Sequence, residues 1–126
     1  MISREVTNWI IPKDGVYTDM QSFSQRVSSS YYVETLEASR LFTLSHQNYK
    51  ALLSTCNEVG WKVFEHVSIV AEQRVMMSNL RYPEDRLKLM ESTFPGLMRF
   101  LPVHIQASYL NMEVNALSKL RSRKAG

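Results

Sequence analysis

Asn115, Ser118, Lys119 and Ser122 recur near the C-terminus at spacings that put them on one side of a helix, with Arg121, Arg123 and Lys124 beside them. Amide, hydroxyl and ammonium groups so arranged can hydrogen-bond base edges in a duplex groove, and cations next to them can reach phosphates. Asn115 and Lys119 are the candidate base-edge contacts; Ser118, Arg121, Arg123 and Lys124 are the candidate phosphate contacts. The charge distribution points the same way. Residues 98–126 carry Arg99, Lys119, Arg121, Arg123 and Lys124 against Glu113, a net of +4, whereas residues 1–97 net −1 within a chain total of +3. A short basic terminus on a near-neutral body suits an acidic partner such as nucleic acid, or serves as a solubilising tail.

The segment around these residues, Val103 to Arg121, has the layout of two short helices joined by a tight turn. Ala107 is small where two helices must cross closely. Leu110 and Met112 bracket the turn, and Asn111 falls where a left-handed residue is wanted, which Asn tolerates better than other non-glycine types. Leu117 and Leu120 belong to the inner face of the second helix.

Other chemistries have little support. The chain has 126 residues with 44% hydrophobic and 21% charged content, ordinary for about one globular domain. Its four glycines, Gly15, Gly60, Gly96 and Gly126, form no phosphate-cradling loop. His46, His66 and His104 lack metal-ligand spacing, and Cys56, the single cysteine, excludes an internal disulfide and a multi-cysteine zinc site. Glu84-Asp85 is a helix-start pair, and neither Ser108 nor Ser118 carries the signature of an activated nucleophile. No enzyme, metal or cofactor is expected. No apolar run approaches the roughly 20 residues that cross a bilayer, and Met1-Ile2-Ser3-Arg4-Glu5 opens no signal peptide, so a cytoplasmic protein without a membrane partner is expected.

The elements that position the basic terminus read as follows. Residues 1–45 read as β structure with turns: Val6–Ile11 ends at Pro12 before the turn Lys13-Asp14-Gly15, and Tyr31–Leu36 and Arg40–Leu44 are rich in β-formers. Ser45 is a helix cap for a short helix at about 46–54, followed by a long one over 57–80. Two stripes run along the long helix. Val59, Val63, Val67 and Val70 form one, and Trp61, Phe64, Ser68, Ala71 and Val75 the other; both serve as intramolecular core, or the valine line is a dimer seam. Pro83 with Glu84-Asp85 starts the next helix, Pro95-Gly96 stops it, and Leu101-Pro102 introduces two last helices at about 103–110 and 113–124.

Pro102 to Arg123 resembles the C-terminal DNA-binding motif of the Crp/Fnr family of transcription regulators, through Ala107-Ser108-Tyr109-Leu110 and Leu117-Ser118 followed by Lys119-Leu120-Arg121. Upstream, Glu84-Asp85-Arg86-Leu87 and Phe94-Pro95-Gly96-Leu97 look like that family's linker. Val33–Leu41 looks like the last strands of its cyclic-nucleotide-binding β-roll, and Asn57–Leu80 like its dimerisation helix. The resemblance implies an α+β chain: the C-terminal part of a partial antiparallel β-roll over 1–56, a long dimerisation helix over 57–81, and a helix-turn-helix DNA-binding domain over 82–126. It also implies a homodimer, with double-stranded DNA and RNA polymerase as partners.

The departures carry expectations of their own. In nucleotide-binding members the phosphate cassette holds a Gly-Glu pair and then an Arg followed by Ser or Thr. Its counterparts here are Thr18-Asp19 and Ser29-Ser30, a vestigial cassette of Asp19, Ser29 and Ser30 without the arginine, so no tight cyclic AMP binding is expected. Cys56 alone cannot hold an iron–sulfur cluster of the Fnr type. The N-terminal half of the roll is expected to be missing, whether by truncation or as a natural short form, which leaves an unpaired sheet edge. Gln106 stands at a usually apolar position, and Glu113-Val114 replace the Thr-Pro that starts the second helix. The alternative function is a truncated dimerisation or interaction module, derived from such a regulator, that does not bind DNA.

Overall fold

The computed structural model describes residues 5–125, and among them it contains six α-helices and no strand. The helices are α1 (Met20–Gln25), α2 (His46–Thr55), α3 (Asn57–Asn79), α4 (Pro83–Thr93), α5 (Val103–Tyr109) and α6 (Val114–Ala125). The expected α+β class, with its partial antiparallel β-roll, is therefore wrong. The physical reason is that a strand is completed by a partner, and β propensity only says that a segment fits a pleated surface. Tyr31–Leu36 and Arg40–Leu44 are irregular and exposed throughout, with Phe42 at 94% exposure, and no ladder forms on either of them. Within the supposed roll the chain instead turns helical at Met20, where Asp19 Oδ1 accepts the Ser22 amide at 3.3 Å and caps α1.

Two units emerge. One joins the N-terminal segment up to Asp14 with everything from Glu72 onward; the other is Gly15–Ala71. In the first unit Val6–Ile11, expected as a strand, is an irregular strap with no strand partner. Its Ile10 is buried together with Met77, Leu87, Met90, Leu101, Ala107, Tyr109, Leu110, Leu117 and Leu120. Of the strap's apolar residues Ile10 is the buried one, and what it buries against is a set of helices, while Val6 and Ile11 are exposed. The strap is also hydrogen-bonded, since the Thr7 amide donates to Ser108 Oγ at 2.8 Å.

Local chemistry sets the helix boundaries in this unit. Pro83 opens α4 with Glu84 and Asp85 in its first turn, where the proline lacks only an amide that would have no partner, and the acids complement the helix dipole. Arg86 on α4 then binds back: its Nη1 donates to the Leu80 carbonyl at 2.8 Å and its Nε to the Leu110 carbonyl at 2.9 Å. One guanidinium thus satisfies a carbonyl just past the end of α3 and another just past the end of α5, groups that helix termini leave without partners.

In the second unit α2 begins at its Ser45 cap, whose Oγ accepts the Asn48 amide at 3.1 Å. It packs on α3 at Gly60: a Cβ there would lie 1.8 Å from Leu53 Cδ2, and the Tyr49 hydroxyl donates to the Gly60 carbonyl at 3.2 Å. Phe23 of α1 stacks edge-on against Tyr49, ring centroids 5.4 Å apart. Among the described residues no helix is long and apolar enough to cross a membrane.

Candidate nucleic-acid interface

The α5–α6 hairpin is closed by its own backbone. Leu110 ends α5, Asn111 follows at φ +56°, and the chain reverses. The Asn111 amide donates to the Ser108 carbonyl at 3.1 Å and the Met112 amide to the Ala107 carbonyl at 3.0 Å. This is the paired six-to-one and five-to-two pattern of a Schellman turn, which requires a left-handed residue where Asn111 stands. Ala107 is buried at the close approach of the helices, and Leu110 and Leu117 are fully enclosed.

Two further groups fasten the end of α5. Arg74, buried on α3, donates from Nη1 to the Tyr109 carbonyl at 2.7 Å, while its Cζ lies 4.0 Å from the centre of the Tyr109 ring. Burial holds the Arg74 guanidinium below its ordinary pKa, with Tyr109 acting against that shift. Burial likewise raises the Tyr109 phenol, and Arg74 opposes the rise. Neither Arg74 nor Arg86 figured among the expected functional residues. No local pattern marks a basic residue whose partners are carbonyls 35 and 24 positions away.

The phase of α6 then sorts its polar residues. Leu117 and Leu120 point into the core, so Asn115, Ser118, Lys119 and Ser122 fall on the opposite side, and all four are exposed. Arg123 is exposed as well. Arg121 and Lys124 follow Leu117 and Leu120 by four residues each and so share the inward phase. Arg121 is half-buried and its Nη2 donates to Gln106 Oε1; Lys124 pairs with Glu91 of α4 at 3.0 Å. Among the expected phosphate contacts, then, Ser118 and Arg123 face solvent while Arg121 and Lys124 are engaged within the protein. The i,i+4 spacing from the buried leucines was the sequence signal for this.

Gln106, a residue at odds with an apolar position, has a role of its own. It is buried at 3% exposure, and its Nε2 donates to the carbonyls of Met98 at 2.8 Å and Leu101 at 2.7 Å while its Oε1 receives Arg121. A buried amide with both sides satisfied carries little of the desolvation penalty that an unpaired one would.

The remaining candidates lie in the other unit. Val59 is exposed, and Val63, Val67 and Val70 are half-buried; beside them Trp61 and Phe64 stack with ring centroids 5.6 Å apart. Asp19 and Ser29 do come together, Ser29 Oγ donating to Asp19 Oδ2 at 2.6 Å, and Ser30 is exposed nearby in sequence. That hydrogen bond, with the Ser22 amide, holds the Asp19 carboxyl below its ordinary pKa. Among the described residues no cluster of three or more His, Cys, Asp or Glu is placed to hold a metal ion. In comparisons with known proteins, no family model, curated protein or solved structure matches the chain.

Proposed function

We propose that the chain is a sequence-specific, DNA-binding transcription regulator that acts as a homodimer in the cytoplasm, with α6 entering the major groove. The observation that carries this reading is the exposed row Asn115, Ser118, Lys119 and Ser122, set opposite the buried Leu117 and Leu120 on a helix fixed by the Schellman turn at Asn111. Asn115 and Lys119 read base edges, and Ser118 and Arg123 hold phosphates. The resemblance of Pro102–Arg123 to the Crp/Fnr motif supports the same assignment. A homodimer, for which the valine line of α3 is the candidate seam, would read two half-sites in successive major grooves, about 34 Å apart.

Fluorescence polarisation with genomic duplex fragments at two salt concentrations tests the reading. Binding that weakens steeply as salt rises is the expected result, because phosphate neutralisation releases counterions. No binding at low salt overturns it. A second reading, an interaction module that does not bind DNA, draws on the inward engagement of Arg121 and Lys124, which leaves α6 with fewer free cations than its sequence carries.

A further inference from the structure

Resting on the DNA-binding reading, we infer that Gln106 and Glu91 are positioning residues that set how many phosphates α6 neutralises. The basic residues of α6 are Lys119, Arg121, Arg123 and Lys124. Counting them gives four cations per protomer, but the packing divides them into two pairs. Lys119 and Arg123 are exposed, and among the described residues no hydrogen bond or ion pair holds either side chain. Arg121 and Lys124 are held from behind, by the Gln106 amide oxygen and by the Glu91 carboxylate.

The two restraints differ in kind. Gln106 is buried and is fixed in turn by the Met98 and Leu101 carbonyls, so the acceptor that holds Arg121 belongs to the core. Releasing Arg121 would leave that amide oxygen without its partner inside the protein, at the cost attached to any orphaned buried acceptor. Glu91 is different, because its pair with Lys124 leaves both side chains about two-fifths exposed, at 42% and 40%. A surface ion pair of this kind is weak, yet while it persists it cancels the charge that a phosphate would meet. Arg121 is thus a structural cation, and Lys124 one that Glu91 withholds.

The salt dependence of binding reads the number of neutralised phosphates directly, with a slope of about 0.9 in log affinity per phosphate on a log salt scale. Polarisation titrations of a duplex against the full chain and four variants, over a range of salt, provide the test. Arg123→Ala should flatten the slope by about 0.9 per bound protomer, and Glu91→Gln should steepen it by about 0.9 as Lys124 becomes available. Lys124→Ala and Arg121→Ala should leave the slope unchanged, while Arg121→Ala lowers the melting temperature because Gln106 loses its partner. A slope that falls with Lys124→Ala as much as with Arg123→Ala, or that ignores Glu91→Gln, overturns the inference and leaves DNA binding standing. Absence of duplex binding by every form, wild type included, overturns the DNA reading and this inference with it.

Discussion

Arg74 grips Tyr109 twice, through a 2.7 Å hydrogen bond from its Nη1 to the Tyr109 carbonyl and through its guanidinium 4.0 Å from the centre of the tyrosine ring. The first contact satisfies a carbonyl at the end of α5, where the helix leaves its last acceptors open, and the second places a cation on the ring face. Together they fix the base of the α5–α6 turn to α3. Arg86 does the same from α4 through the Leu110 carbonyl.

Arg74→Ala should destabilise the protein by about 1–3 kcal/mol, since it leaves the Tyr109 carbonyl unpaired and removes the packed stem of the side chain. Urea unfolding followed by circular dichroism measures the loss. Arg74→Lys should recover part of it, because an ammonium can still meet the carbonyl but has no planar face to lay on the ring.

Tyr109 predicts an alkaline weakness. Burial raises its folded pKa above the ordinary tyrosine value of about 10, so the folded state keeps its proton longer than the unfolded one. The stability tied to the neutral phenol is complete below about pH 10 and is lost as the pH climbs through the folded value. Tyr109→Phe, which cannot ionise, should show a shallower decline in stability above pH 10 than the wild type. Equal declines would remove Tyr109 as the cause.

Asn111 at φ +56° tests the turn itself. Asn111→Gly should be neutral or slightly stabilising, whereas Asn111→Val should cost about 1–2 kcal/mol, because a β-branched residue is strained in the left-handed region. Thermal melts of the two variants give the comparison, and on the DNA-binding reading the valine variant should also weaken duplex binding by misdirecting α6.

On the DNA-binding reading, Lys119→Ala should lower affinity for a cognate site by about 1–3 kcal/mol and blunt discrimination between sites, while Arg123→Ala weakens all sequences alike. Matched titrations on cognate and random duplexes separate the two. Equal losses on both duplexes from Lys119→Ala would take it out of the base-reading set.

Calorimetry with cyclic AMP should detect no binding at micromolar concentration. Asp19 and Ser29 are joined by a 2.6 Å hydrogen bond that stabilises a carboxylate, so a phosphate placed there meets like charge.

The helical half was legible because its signals are local. Ser45, Pro83, Pro95-Gly96 and Asn111 each act within a few residues of themselves, through a cap, a fixed φ or a left-handed turn, and the helices start and stop beside them. Leu117 and Leu120 likewise set the phase of α6, and with it the side on which Asn115 and Lys119 stand. The β-roll was misread for the converse reason. Val6–Ile11, Tyr31–Leu36 and Arg40–Leu44 have strand-like composition, but whether such a segment pairs depends on a partner that its own residues do not specify.

The sequence by itself determined, to within a residue or two, where α2 to α6 begin and end, though not α1, and that Asn115, Ser118, Lys119 and Ser122 share a face, since both follow from backbone chemistry and a period of 3.6 residues. Only the tertiary structure decided that Val6–Ile11 would be a strap on helices, that Gln106 would be a buried clamp, and that Arg121 and Lys124 would be engaged by Gln106 and Glu91. Each of those outcomes depends on which groups distant segments bring within hydrogen-bonding or packing reach, and that is settled when the core closes.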